Sequence, residues 1–84
     1  MRIDLCVAYK ILNCLKNMGG SANLTQLIKC SSSSATTVTR YVEILKQTKL
    51  IVEEGGGRER LFKLTGRGEE FVATFVRLLS IIRG

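Results

Sequence analysis

The chain has 84 residues, 45% of them hydrophobic and 24% charged, with a mean hydropathy of +0.15. That balance excludes an intrinsically disordered chain, and no apolar run nears the roughly 18 residues that a membrane span requires. Thirteen basic against seven acidic residues leave a net charge of +6, suited to a polyanionic partner, and the absence of histidine removes the commonest zinc ligand and general base.

Residues 3–18 read as a first helix. Leu5, Ala8, Leu12 and Leu15 form one apolar stripe, and Val7, Ile11, Cys14 and Met18 a neighbouring one, which together exceed a single buried face. Asp4 and Lys16 suit the two ends of the helix dipole, and Gly19 is a natural left-handed residue to end it. Cys6, Cys14 and Cys30 are odd in number and too widely spaced for a C-x-x-C site, so they are expected to be buried structural thiols. Asn23 is placed to cap a short second helix, 24–30, with Leu24, Leu27 and Ile28 turned inward. The four serines that follow read as a tight turn, too short to separate domains.

A third helix is expected over 34–48, capped by Ser34 and apolar at Val38, Tyr41, Val42 and Leu45, the spacing of a one-sided helix. Its other face begins with Ala35, Thr36, Thr37, Thr39 and Arg40. An ordinary amphipathic core helix would look like this, and so would a helix whose short polar front enters a major groove. Two strands then fall within 50–64, joined at Gly55-Gly56-Gly57, with Arg58 and Arg60 near the tip. Thr65 is expected to cap a last helix over 66–82. That helix carries Phe71, Val72, Phe75, Val76, Leu78, Leu79, Ile81 and Ile82, more apolar positions than one face needs. With each large side chain worth roughly 1.5–3 kcal/mol when buried, either this helix is central to the core or one side of it meets a second copy.

The order helix, helix, serine turn, helix, strand, glycine-rich tip, strand, helix resembles a winged helix-turn-helix domain. The residues resemble one too: Leu27 and Val38 keep the spacing found between the two helices of that motif. The stretch RYVEILKQTKLI is similar to the usual passage from the recognition helix into the wing, and LTGRG to the junction before the last helix. Small archaeal winged-helix DNA-binding proteins are the nearest resemblance, and in some of those the final helix mediates dimerisation. Where many relatives have glycine and leucine inside the turn, this chain has Ser32 and Ser33, with Cys30 expected to supply the apolar contact. The resemblance implies one mostly α domain over 1–84 with a small β-hairpin. It also implies a function: a dimeric transcription regulator on double-stranded DNA.

On that reading Ser34, Ala35, Thr36, Thr37, Thr39 and Arg40 face the major groove, and Arg58 and Arg60 meet backbone or minor groove. Leu5, Ile11, Phe71, Phe75, Leu78, Leu79 and Ile82 make the dimer interface between first and last helices. A low-specificity architectural DNA-binding protein and a protein-interaction module are the alternatives. No activated nucleophile, carboxylate pair or phosphate loop points to an enzyme, since the glycine run lacks a following Lys-Ser/Thr. No cofactor, metal or membrane is expected, and the protein should be cytoplasmic and associated with the nucleoid.

Overall fold

The computed structural model describes residues 3–55 and 60–83. Helix α1 spans Leu5–Asn17, and Asp4 caps it by accepting the Cys6 amide at 2.9 Å. It ends in a Schellman turn. Gly20 N donates to Leu15 O at 2.8 Å and Gly19 N to Lys16 O at 3.3 Å, with φ +82° at Gly19.

That turn sets up an element the sequence pattern did not announce. Ser21–Asn23 form a short strand, β1, antiparallel to the later strand β3 (Leu61–Leu64). Strand β2 is Ile51–Glu54, and the sheet order β1-β3-β2 makes three strands where a two-stranded hairpin was expected. Ala22 lies opposite Phe62, and both are buried. The expected groups of helices and strands are otherwise present, mostly helical, in winged-helix order.

Asn23 then caps α2 (Leu24–Ser31) in a reciprocal box, its side chain accepting from Gln26 N at 2.8 Å while its own amide donates to the Gln26 side chain at 2.9 Å. Ser32 takes the left-handed conformation, φ +54°, that glycine provides more cheaply, and the chain turns into α3 (Ala35–Gln47). Helix α3 closes with a second Schellman turn: Leu50 N donates to Leu45 O at 3.0 Å. Helix α4 spans Gly66–Arg83.

One core gathers all these elements. It holds Ile11, Leu12 and Leu15 of α1, Leu27 of α2, and Val38, Val42 and Leu45 of α3. Ile51 and Phe62 of the sheet and Val72 of α4 join it, with Ala8, Cys14, Ala22 and Tyr41. Where the sheet leaves the core, its inner face becomes ionic. Arg60 Nε donates to Glu53 Oε2 at 3.0 Å, and its Nη2 donates at 2.9 Å to both Glu53 Oε1 and Glu43 Oε1 of α3. Lys46 of α3 donates to Glu53 Oε1 at 2.7 Å, and the Arg60 guanidinium lies 5.1 Å from the Phe62 ring centroid. The Arg60 and then the Lys46 hydrogen bonds hold the Glu53 carboxyl down at about 2.

The cysteines correct the expectation of three buried thiols. Cys14 and Cys30 are joined in a disulfide, with Cα atoms 6.0 Å apart, tying α1 to α2. Cys30 is exposed, so its contribution at the turn is a covalent tie and not the expected apolar contact. Cys6 is a free thiol on the surface. The reason lies in the packing of α1 on α2, which brings together residues 16 apart in sequence.

Two outcomes follow. Closing a loop of that length restricts the unfolded chain by about 3 kcal/mol on the loop-entropy model. Reducing the bond, or replacing both cysteines by serine, should lower the urea-derived unfolding free energy by about that amount. For Glu53, the folded carboxyl titrates below its ordinary value of 4.5, so its ion pairs stabilise the fold fully above that pH and progressively less as pH falls toward about 2. Denaturation midpoints of the wild type and Glu53→Gln should therefore differ at neutral pH and converge as pH falls toward about 2.

Candidate nucleic-acid interface

Helix α3 is amphipathic in three dimensions as in sequence. Val38, Tyr41, Val42 and Leu45 are buried, and the Tyr41 hydroxyl accepts the Asp4 amide at 2.8 Å, tying the middle of α3 to the start of α1. The other face is open. Ser34, Ala35, Thr36, Thr39 and Arg40 are exposed, and Thr37 is half-buried.

Ser34 and Thr37 have work inside the helix. Ser34 Oγ accepts from Thr37 N at 3.2 Å and donates to Thr37 Oγ1 at 2.9 Å, so this pair closes the N-terminus. Thr36, Thr39 and Arg40 are the longer side chains left facing outward, and among the described residues Arg40 has no ion pair. The same exposed stripe runs on to Glu43 and Gln47, three and seven residues beyond Arg40. Sequence reasoning passed over Glu43, whose position opposite Val38 and Leu45 was the available signal.

The basic residues of the wing part company. Arg58 lies outside the described residues. Arg60 is not an outward-reaching side chain: its guanidinium is committed to Glu43, Glu53 and the Phe62 ring, and its pKa is raised chiefly by the Glu53 hydrogen bonds and then by Glu43. The alternation of Arg60 with Phe62 put both on the inner face of the sheet, which the sequence pattern contained and which was not drawn from it.

The apolar residues assigned to a subunit interface also divide. Ile11 is fully buried inside the protomer, between α1 and its neighbours, and has no surface to offer a partner. Phe71 and Phe75 are half-buried, and Phe75 stacks on Tyr9 of α1 at 4.6 Å between centroids. Leu79 is half-buried, while Leu5, Leu78 and Ile82 stand exposed. Ile3, Val76 and Ile81 join them as exposed apolar residues, Ile81 at 76%. Thus α4 is anchored as far as Phe75, and beyond it Leu79 is half-buried while Val76, Leu78, Ile81 and Ile82 are exposed. Among the described residues no cluster of three or more acidic or cysteine ligands could hold a metal, and no helix is long and apolar enough to cross a membrane.

No protein-family model matches the chain, and no curated protein does. Solved structures do. A winged-helix DNA-binding protein from STIV superposes with a TM-score of 0.87 at 17% identity, over 96% of this chain and 95% of that one. Sso10a-2, a DNA-binding protein from Sulfolobus solfataricus, gives 0.85 at 12% identity, over 98% and 83%. BpsR of Bordetella bronchiseptica, whose DNA binding is regulated by 6-hydroxynicotinic acid, gives 0.82 at 25% identity over 92% of this chain. The chain spans 60% of the length of BpsR. On this agreement of helix order, strand order and superposition, the chain has the winged-helix fold.

Proposed function

We propose that this protein is a dimeric transcription regulator that binds double-stranded DNA, with α3 in the major groove and the wing against backbone or minor groove. One observation carries the reading. The front of α3, from Ala35 to Arg40, is uncovered, side chains there are short apart from one arginine, and the helix N-terminus beneath it is capped and positively polarised. Short hydroxyl side chains let a helix approach base edges closely, and an arginine with no ion pair among the described residues supplies the strongest single pairing, to guanine. The DNA-binding proteins that share this fold support the same assignment.

Dimerisation is the second part of the proposal. Leu78, Ile81 and Ile82 on the free half of α4, with Leu79 half-buried and Leu5 on α1, form an apolar surface that water disfavours. A two-fold pairing of α1 and α4 would cover it and set two recognition helices for a palindromic site. This favours a regulator over an architectural protein of low specificity. A DNA-binding role would put the protein in the cytoplasm, at the nucleoid.

Two measurements test the proposal. Arg40→Ala should leave the fold intact and weaken binding to duplex DNA. If Arg40 reads a base, discrimination at one position should relax by about 1–3 kcal/mol; if it neutralises a phosphate, the log–log salt slope should shrink by about one unit. No change of either kind in a folded protein would remove α3 from the groove. For the dimer, light scattering at micromolar concentration should give twice the 9.3 kDa chain mass, and Leu78→Glu should halve it, because a charge would then sit in an apolar contact.

A further inference from the structure

The ionic cluster between α3 and the sheet joins the two elements proposed to meet DNA. Glu43 belongs to the exposed stripe of α3, Glu53 to β2, and Arg60 precedes β3, so one guanidinium bridges the recognition helix and the wing. The planar fork of arginine holds carboxylates through donors in a rigid, fixed geometry, whereas the ammonium of lysine is a rotatable point charge on a flexible stem. Lys46 adds a second tie, 2.7 Å from Glu53 and 3.6 Å from Glu43. The stack on buried Phe62 fixes where the guanidinium sits.

We propose that Arg60 is a positioning residue for DNA binding: held between Glu43 and Glu53, it locks the wing to the recognition helix so that both engage the duplex as one body. The proposal rests on the DNA-binding reading above and reverses the role that sequence assigned to Arg60, from touching DNA to placing what touches it. Glu43 then has a use that its charge alone would not predict. An acidic residue on a DNA-facing stripe repels phosphate, yet this one is where the Arg60 guanidinium attaches to the helix.

That opposition supplies the test. Glu43→Ala removes a carboxylate from the proposed interface, and on charge alone it should tighten binding to duplex DNA and steepen the salt slope. The lock predicts the reverse, a loss of about tenfold in affinity, or 1.4 kcal/mol, with the slope unchanged. Arg60→Lys, which keeps the charge but not the fork, should lose a similar factor, and the double variant should be no weaker than the worse single one, as coupled residues require. Affinities are measured by fluorescence anisotropy on one labelled duplex at two salt concentrations, with circular dichroism melts confirming that each variant is folded. Tighter binding by Glu43→Ala, wild-type affinity in Arg60→Lys, or additive losses in the pair would each overturn the lock while leaving DNA binding standing. Glu43 is a half-exposed surface residue, so its variant decides the matter even where an Arg60 variant unfolds. Failure of the wild type to bind any duplex would instead sink the underlying reading, and the lock with it.

Discussion

The carbonyl oxygen of Leu50 is the point on which the arrangement of this molecule depends. It accepts the Thr65 amide at 3.2 Å and lies 2.9 Å from the Thr65 hydroxyl, which is also within 2.8 Å of Lys49 O. Three residues on, Gly68 is buried directly over it. A Cβ there would overlap Leu50 O and stand 2.6 Å from the Leu64 side chain. The Thr65 oxygen also receives the Gly68 amide at 3.0 Å, which caps α4. One backbone atom therefore fixes the end of α3, the return of the wing and the departure of α4. The direction in which α4 projects, and hence where a second copy would lie relative to the exposed stripe of α3, is set by a threonine and a glycine.

The LTGRG stretch is therefore informative in the sequence itself. The motif encodes a contact in which only a hydroxyl three residues before a missing side chain will serve. The caps were legible for the same reason: Asn23 with Gln26, Ser34, and Gly19 each satisfy a local backbone need visible within a few residues. The apolar faces of α1 and α3 followed from their 3.6-residue period.

What escaped the sequence depends on contacts distant along the chain. Ser21-Ala22-Asn23 shows no strand alternation worth the name; it is extended because the Schellman turn delivers it beside β3, where Gly20 O accepts Leu64 N at 2.8 Å. The disulfide required knowing that α1 and α2 pack where Cys14 and Cys30 lie. Surplus apolar residues were correctly noticed, but Ile11 and Ile82 looked alike in sequence. Only the packing separates a residue that completes the protomer's own core from one that is left over. Charge was the hardest to place, because the partner of Arg60 lies on another element.

The placement of charge also reshapes what the net +6 means. Lys46 and Arg60 meet Glu43 and Glu53, and Lys63 meets Glu54 at 3.4 Å. Three cations and three carboxylates thus cancel along the seam and the wing strands, and the whole excess resides elsewhere on the chain. Among the described residues it includes Arg40 on α3, Lys29 in the last turn of α2, and Lys10 and Lys16 on α1, all exposed. Long-range attraction of a polyanion falls off within about 10 Å at 0.1 M salt, so it acts from these helical cations and not from the neutral seam. The helices would draw the duplex in, and the seam, having no net charge, would govern geometry without governing the approach. The charges at the base of the wing, Lys46 of α3 included, thus pair with one another, while among the described residues Lys10, Lys16, Lys29 and Arg40 make no ion pair.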